Sequence, residues 1–320
     1  MLLIRKLIFA GIAIAALALT PLALTAAQAA EKLTVYLDWF VNPDHAPLVI
    51  AESQGYFKER GLEVELIAPT DPNAPPRLIA AGQGDIAISY QPQLHVQVSE
   101  GLPLVRIGTI AETPLNALVV LKDGPIKSIA DLKGKKVGFS VGGFEDALLS
   151  AMLKEADLTL DDIELININF ALSPSLITGA VDAVIGAFRN FELNQLDIEK
   201  RPGLAFYPEE HGVPVYDELI FIAKNDRIDD PRFRPFMEAV EQATLYLTNH
   251  PAEALEQFIK AYPDLDNELN RRAWFDTLPR LTKRPAALDS GRYERFARFM
   301  KDSGLIKEIA PLETYAVELK

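Results

Sequence analysis

The chain has 320 residues, no cysteine and a formal net charge of −13. The acidic balance argues against nucleic acid or an anionic membrane as the main partner, because both carry negative charge. The lack of cysteine excludes disulfides, thiolate metal ligands, a cysteine nucleophile and a lipid-modified cysteine that would tether the N-terminus.

Residues 1–29 have the features of a secretory signal peptide. Arg5 and Lys6 precede the apolar run 7–24, and Ala27-Gln28-Ala29 provides small residues at the spacing of a cleavage site. A retained membrane anchor is the alternative, since this run approaches the length that spans a bilayer. The Ala-x-Ala site and the polar sequence that follows favour cleavage. We therefore expect an exported protein without a lipid anchor, located in the periplasm.

Helix-like and strand-like segments alternate after the signal peptide. Apolar residues alternate with polar ones at 33–37 and again in LEVELI at 62–67, as they do in half-buried strands. Helix-like patterns cover 48–60 and 76–81, and GDIAISY at 84–90 has the composition of a buried strand. This alternation predicts an α/β fold with largely parallel sheets.

The segment 63–88 has an echo at 162–185. In each, an acidic strand leads to Pro-x-Leu-Ile, then a glycine, an aspartate and a second strand. Generic strand–helix–strand composition accounts for part of this match, which needs a one-residue gap. The echo nevertheless indicates two lobes that are built on similar units.

The division into lobes follows from where these units begin and end. After the second unit the chain returns to a strand at 217–223, and helical patterns dominate from there onward. We therefore expect one lobe at 30–119 plus 221–320 and an inserted lobe at 120–220. Two mixed, mainly parallel sheets joined by two crossing strands would enclose a cleft that can close on a ligand.

The sequence GFSVG at 138–142 matches the nucleophile elbow of serine hydrolases. Only His211 and His250 follow it, and no histidine-led glycine run for an oxyanion hole precedes it. We therefore interpret it as a small-residue loop before a helix. There the backbone N–H groups of Gly142 and Gly143 would point at a ligand.

Metal and nucleotide sites find no support in the sequence. The four histidines are scattered, with no i, i+4 pair and no clustered carboxylates, so we predict no metal. The chain has no P-loop, and the glycines of 138–143 do not form the dinucleotide fingerprint. We predict no cofactor.

The segment GAFRNFELNQ at 186–195 follows a predicted strand, and open α/β sheets bind ligands at the carboxyl ends of strands. Its aromatic residues Phe188 and Phe191 could instead belong to the core beneath the next helix. Glu192 could lie on a solvated helix face. The residues alone leave these alternatives open.

Four segments together resemble the solute-binding proteins of ABC importers: 37–66, 80–89, 128–139 and 184–192. GYFKERGLEVEL and DLKGKKVG are similar to elements of sulfonate, taurine and nitrate binders. The opening LDWFVNPDHAP and the aromatic segment ending in Glu192 resemble the narrower group that binds thiamine pyrimidine precursors and includes the yeast pyrimidine synthases. The resemblance implies a two-lobed periplasmic-binding-protein fold of type II-like topology, an ABC permease as partner and a monomeric state.

The resemblance also implies that an aminopyrimidine binds in the cleft between the lobes. Trp39 and Phe188 would stack on the ring, and Glu192 would accept a hydrogen bond from an exocyclic amine. Asn42 could both donate to and accept from the ring nitrogens. Further walls would come from five other residues: Tyr90, Gly142, Gly143, Phe144 and Asn190.

The resemblance suggests other roles for three further residues. His45 would be either a ligand contact or a residue that starts a helix. Asp38 would be structural and could orient a neighbour. Arg189 departs from the pattern, which leads us to expect a further aromatic there; its guanidinium could stack or could face a carboxylate or formyl group of the ligand.

The yeast synthases suggest catalysis as a second class of function. They build the pyrimidine from pyridoxal phosphate and a histidine of their own chain. The slots of their reactive lysine and histidine correspond to Ser89 and Gln93, with His95 two positions further on, and their cysteine-rich motif is missing. We therefore predict a binder and not an enzyme. Its predicted cargo is an aminopyrimidine such as N-formyl-4-amino-5-aminomethyl-2-methylpyrimidine, with riboflavin, a sulfonate such as taurine, or nitrate as alternatives.

Overall fold

The computed structural model describes residues 30–319, so the predicted signal peptide lies outside the described residues. Within that range, no helix has both the length and the apolar character needed to cross a membrane. The fold consists of two five-stranded sheets with helices packed around them. This confirms the predicted α/β class.

The strands are β1 (Glu31–Tyr36), β2 (Leu62–Ile67), β3 (Ile86–Ser89), β4 (Leu104–Ala111), β5 (Asn116–Leu121), β6 (Lys136–Phe139), β7 (Glu164–Asn167), β8 (Ala183–Phe188), β9 (Gly203–Phe206) and β10 (Leu219–Lys224). The helices are α1 (Ala46–Ser53), α2 (Tyr56–Glu59), α3 (Ala74–Ala80), α4 (Gln91–Ser99), α5 (Glu145–Lys154), α6 (Leu172–Thr178), α7 (Glu192–Ile198), α8 (Phe233–Asn249), α9 (Pro251–Ala261), α10 (Glu268–Thr277) and α11 (Ser290–Asp302).

The two sheets have the same topology. Their strand orders are β2-β1-β3-β10-β4 and β7-β6-β8-β5-β9. In each, three parallel strands are followed by an antiparallel strand, which is β10 in the first sheet and β5 in the second. The fifth strand of each sheet pairs antiparallel with that strand, so each sheet has two parallel and two antiparallel strand pairs. Both sheets are therefore mixed, as the sequence predicts, with four of the five strands running in the same direction.

The echo in the sequence corresponds to equivalent parts of the two sheets. Its first copy forms β2, α3 and β3, and its second copy forms β7, α6 and β8. Each helix is followed by a glycine in the left-handed region, Gly82 at φ +74° and Gly179 at φ +74°. A residue without a Cβ adopts this conformation at little cost. In both copies, the chain can therefore turn directly from the helix toward the next strand.

The chain crosses twice between the sheets, at residues 112–115 and 207–218. We propose that the lobes divide at these segments, since the expected boundaries at 119 and 220 lie inside β5 and β10. We call the part with the first sheet, 30–111 plus 219–319, lobe 1, and the part with the second sheet, 116–206, lobe 2. Helix α10 of lobe 1 contacts helix α7 of lobe 2.

Candidate ligand-binding site

A cavity of about 390 Å³, counting its opening to solvent, lies between the two lobes. It is formed at the carboxyl ends of β1, β3, β6 and β8, where open α/β sheets present their loops to ligands. Both lobes contribute to its walls. The lining residues are Asp38, Trp39, Asn42, Asp44, Tyr90, Glu145, Leu172, Gly186, Phe188, Phe191 and Glu192.

The loop after β1 folds into a short 3₁₀ turn, Pro43–His45, which is capped from both sides. The Asn42 side chain accepts the N–H of Asp44 at 2.8 Å, and His45 Nδ1 accepts the N–H of Asn42 at 3.2 Å. Because Nδ1 accepts, His45 donates from Nε2 to Asp38 Oδ1, 3.0 Å away. His45 is fully buried behind the cavity wall, where it orients Asp38.

Asp38 is held from a second side by Tyr90. The Tyr90 hydroxyl donates to Asp38 Oδ2 at 2.9 Å, so both carboxylate oxygens have a protein donor. Burial and the nearby Asp38 charge raise the pKa of Tyr90 well above its usual value, which keeps the hydroxyl protonated. The Tyr90 ring stacks on Phe144 of lobe 2 with centroids 4.4 Å apart. The stack joins the lobes at the floor of the site.

Glu145, the first residue of α5, places a second carboxyl in the cavity. It is almost completely buried, and its Oε2 accepts the N–H of Ser140 at 2.6 Å. Burial raises the pKa of Glu145 to about 8. Gly186, at φ +98°, packs directly against this carboxyl, and a Cβ there would overlap Oε1 and lie 2.7 Å from Oε2. The glycine therefore makes the space that Glu145 occupies.

Glu192 and Asp44 face the cavity from opposite lobes. Glu192 begins α7 and accepts the N–H of Phe188 at 2.7 Å, and burial raises its pKa to about 8, with the charge of Asp44 adding to the effect. Asp44 accepts from Asn190 Nδ2 at 2.7 Å. Burial raises the pKa of Asp44 to about 6, while neighbouring His45 opposes the rise.

The cavity thus presents four carboxyl groups, and no lysine or arginine is among its lining residues within 30–319. The carboxyls are spread around the walls, since no three His, Asp or Glu side chains in the described chain come close enough to share a metal ion. Such an arrangement suits an organic ligand that offers several hydrogen-bond donors.

Arg189 does not supply the missing positive charge. Its guanidinium turns away from the cavity and forms two hydrogen bonds to Glu209, at 2.6 and 3.0 Å. It also lies 4.0 Å over the ring of Tyr207 and donates to the carbonyl of Asn116 at 3.1 Å. This arginine stabilises the crossing between the lobes, which explains why it departs from the aromatic pattern.

Aromatic side chains complete the walls. Trp39 contributes a half-buried indole that meets Phe170 of lobe 2 edge-on, with centroids 4.6 Å apart. Phe188 and Phe191 line the opposite side. A flat ring inserted here would lie between aromatic surfaces, each pair contributing about 1 kcal/mol beyond burial of its area.

Five of the ten predicted ligand contacts line the cavity: Trp39, Asn42, Tyr90, Phe188 and Glu192. The other five are His45, Gly142, Gly143, Phe144 and Asn190, which lie behind the wall or join the lobes. The N–H of Gly142 donates to Asn73 of lobe 1 at 2.9 Å, and Asn190 Nδ2 reaches both Asp44 and Thr277 at 2.7 Å. Phe144 lies under Tyr90.

Sequence reasoning did not assign Asp44, Glu145, Leu172, Gly186 or Phe191 to the site, and it treated Asp38 as structural. Asp38 and Asp44 both belong to the segment 37–47, which the sequence analysis singles out, so their place in the cavity wall could have been predicted. Glu145 gave no such signal, because an acid in the first turn of a helix is ordinarily explained by the helix dipole. Its burial depends on the contact with Gly186, more than forty residues away along the chain.

The sequence of the chain matches a known protein family. Residues 42–254 match the NMT1/THI5-like family. The chain belongs to that family. A Haemophilus influenzae protein named for thiamine biosynthesis is 55% identical over 91% of this chain and 93% of its own length. The resemblance stated from the sequence is thereby confirmed.

Two further relatives of this NMT1/THI5-like chain differ in function. The formylaminopyrimidine-binding protein of Halalkalibacterium halodurans is 33% identical over 71% of this chain and 70% of its own. The 4-amino-5-hydroxymethyl-2-methylpyrimidine phosphate synthase of Aspergillus parasiticus is 30% identical over 76% and 74%.

The fold is also found in solved binding proteins. The periplasmic aliphatic sulphonate binding protein SsuA of Escherichia coli superposes with a TM-score of 0.70 over 91% of this chain and 93% of its own, at 16% identity. This confirms the predicted periplasmic-binding-protein fold.

Proposed function

We propose that this protein is the solute-binding component of an ABC importer and captures an aminopyrimidine precursor of thiamine for salvage. The observation that carries the proposal is the cavity itself, in which aromatic walls and four carboxyls converge with no lysine or arginine in the described lining. An aminopyrimidine offers a flat ring to the aromatic walls and exocyclic N–H groups to the carboxyls. The relative named for formylaminopyrimidine binding supports the same class of ligand.

The anionic alternatives fit this site poorly. A sulfonate or nitrate needs cations or free N–H donors around its oxygens, and four carboxyls would repel it. Arg189, the cation that the sequence offers near the site, is paired with Glu209 outside the cavity. The shared fold with a sulphonate binder therefore does not extend to shared ligand chemistry.

A synthase activity also lacks support from the geometry. Ser89, in the slot of the synthases' lysine, donates to Gln93 at 2.9 Å, and both side chains are buried away from the cavity lining. His95 packs among Tyr293, Phe296 and Tyr315, and burial lowers its pKa to about 3. We therefore propose a binding protein and not an enzyme.

The cellular setting follows from the same proposal. The signal-peptide features of residues 1–29 and the absence of cysteine indicate an unlipidated protein of the periplasm. There it would act as a monomer and deliver its ligand to permease subunits in the inner membrane. The lobes would close on the ligand because each supplies part of the cavity wall.

Calorimetric titration tests the proposal. Protein beginning at residue 30, freed of ligand by unfolding and refolding, is titrated with the aminomethyl-, formylaminomethyl- and hydroxymethyl-pyrimidines and with taurine, nitrate and riboflavin. Submicromolar binding of at least one pyrimidine, lost in Trp39→Ala, is the expected result. Binding of another solute with no response to any pyrimidine would overturn the assignment of the ligand.

A further inference from the structure

A pyrimidine ligand brings hydrogen-bond acceptors into the cavity as well as N–H groups. Its ring nitrogens need donors from the wall, and so does the oxygen of a hydroxymethyl or formyl substituent. A carboxylic acid can donate such a hydrogen bond, whereas a carboxylate can only accept one. The carboxyls that keep a proton therefore decide which acceptor atoms of a ligand the cavity can bind.

Glu145 is arranged so that one particular oxygen can carry a proton. The backbone N–H groups of Ser140 and Val141 both point at its carboxyl, and the bond from Ser140 reaches Oε2 over 2.6 Å. An oxygen that accepts an N–H group is a poor place for a proton, so the proton of the neutral form belongs on Oε1. Gly186 leaves the space that Oε1 occupies, and both residues line the cavity. The O–H group of a neutral Glu145 would therefore be presented at the cavity wall.

The surroundings of Glu145 keep it neutral after a ligand has entered. Burial raises its pKa to about 8, and the nearby carboxyls of Asp146 and Glu218 add to the rise. Neither of these two residues lines the cavity, so ligand donors do not neutralise them. The charge that repels Glu192, in contrast, belongs to Asp44, a lining residue that ligand N–H groups can reach. A bound ligand therefore favours ionisation of Glu192 more than ionisation of Glu145.

We propose that Glu145 binds the ligand as a neutral carboxylic acid and donates its O–H to an uncharged acceptor, either a ring nitrogen or the oxygen of the substituent at position 5. Glu192 has the opposite role and accepts from the exocyclic amine. This inference rests on the proposed function and adds a specificity-determining residue that the sequence did not predict. A neutral acid can donate to a formyl oxygen, which agrees with the ligand for which the Halalkalibacterium halodurans relative is named.

The pH dependence of binding tests this protonation state. The formylaminomethyl-pyrimidine is titrated calorimetrically between pH 7 and about pH 9.5, where it has no aliphatic amine to titrate. Affinity should fall above pH 8, approaching tenfold per pH unit, because binding needs the acid form of Glu145. Affinity that stays constant or rises over this range would overturn the inference. The titratable groups that face Glu145 from the neighbouring elements are Asp38, Asp44, Tyr90, Asp146, Glu192 and Glu218.

Two variants of Glu145 separate an acid from a carboxylate. Glu145→Ala removes the donor and should weaken binding at pH 7 at least about tenfold. Glu145→Gln has a carbonyl for the N–H of Ser140 and an NH₂ donor for the ligand, as the neutral acid does. It should therefore recover most of that loss and abolish the fall in affinity above pH 8. If Glu145→Gln weakened binding as much as Glu145→Ala, the role as an acid would be refuted.

Three pyrimidines and a control variant complete the experiment. A loss in Glu145→Ala that is equal for the aminomethyl-, hydroxymethyl- and formylaminomethyl-pyrimidines would assign the acceptor to the ring, and a loss confined to the last would assign it to the formyl oxygen. Glu199→Ala, which removes an exposed carboxyl at the end of α7, should leave every affinity unchanged. Equal binding to wild type and Glu145→Ala would overturn the inference alone, whereas failure of all three to bind the wild type would overturn the proposed function. Circular dichroism and urea denaturation verify folding of the variants.

Discussion

The cavity and the region where the chain crosses between the lobes both bury carboxyl groups, but they differ in how these charges are balanced. At the crossing, Glu209 pairs with Arg189 and Asp217 pairs with Arg292. In the cavity, four carboxyls face one another, and the described lining supplies no lysine or arginine. The crossing, which has only a structural role, contains the counter-ions of its own carboxylates. In the cavity, hydrogen-bond donors of a bound ligand would have to stabilise the carboxyls instead.

Glu218 shows that burial alone does not make this difference. It is completely buried at the crossing, accepts the N–H groups of Leu115 and Asn116 at 2.6 and 2.9 Å, and has a pKa raised to about 7. The positive charge of Arg189 opposes that rise. Glu145 has similar burial and similar backbone donors, but no cation lowers its pKa. The cavity therefore differs from the crossing in holding buried carboxyls without a nearby positive charge.

The largest disturbance of the cavity should come from Gly186→Ala. The new Cβ would overlap the Glu145 carboxyl in a backbone conformation that already disfavours side chains. We expect ligand affinity to fall about a hundredfold and the free energy of unfolding to fall by about 2 kcal/mol, measured by calorimetry and urea denaturation. Gly179→Ala, at the same kind of φ with open space around it, is the control and should cause only the backbone strain. Equal effects of the two variants would mean that contact with Glu145 is unimportant.

Two substitutions should separate the cavity from the crossing. Glu192→Gln should weaken ligand binding about tenfold, because an amide cannot become the carboxylate that forms a charge-assisted bond with a ligand N–H group. It should not lower stability, because burial already disfavours the charge at this position. Arg189→Met should lower the free energy of unfolding by about 2 kcal/mol, since it leaves Glu209 and Glu218 without their cation. Its preference among ligands should stay the same. If Arg189→Met altered the preference among ligands and Glu192→Gln did not, the assignment of ligand binding to the cavity and of stability to the crossing would be wrong.

The stability of the ligand-free protein should fall as the pH rises. Glu145 and Glu192 have folded-state pKa values of about 8, above the ordinary value of 4.5, so the folded state binds more protons than the unfolded state between these limits. Stability from this source is complete below about pH 4.5 and is lost as the pH approaches 8. We expect a loss of about 1 kcal/mol per pH unit for each carboxyl, measured by urea denaturation between pH 6 and 8. The double variant with Gln at both positions should show a shallower slope; an unchanged slope would assign the dependence to other groups, such as Glu218.

A smaller effect is expected where the lobes touch beside the cavity. Asn73 of lobe 1 accepts the N–H of Gly142 at 2.9 Å and donates to the carbonyl of Ser140 at 3.1 Å. Asn73→Ala removes both bonds from the closed form, and we expect affinity to fall about threefold to tenfold. X-ray scattering should show a more open average shape without ligand. Asn249→Ala, which removes an exposed asparagine from α8, should change neither quantity.

The sequence was sufficient to predict the architecture because its signals are local and repeated. The echo between 63–88 and 162–185 predicted two similar units, and alternation of strands and helices predicted their α/β class. The lobe boundaries were less predictable, since β5 and β10 continue without a break past the expected positions. The local sequence is enough to predict a strand, but the sheet that the strand joins depends on pairing with strands far away along the chain.

Within the site, residues that form walls were easier to predict than residues that position them. Trp39 and Phe188 are aromatic residues at strand ends, which is an informative combination. Asn42 lines the cavity, but its side chain caps the Pro43–His45 turn, while Asn190 bridges Asp44 and Thr277. The sequence shows that a side chain can form hydrogen bonds, but the fold determines with which partner.

The pairing of Trp39 with Phe170 makes the protein suited to optical measurement. The chain has two tryptophans, and the second, Trp274, is fully buried against Phe258 with its indole N–H bonded to the carbonyl of Pro251 at 2.9 Å. Its emission should stay constant as a background. Trp39 lies at the seam of the lobes, so its fluorescence should respond when the cleft opens, closes or fills. The protein can therefore follow its own ligand without an attached dye, and stopped-flow fluorescence of the unlabelled chain would give association and dissociation rates directly.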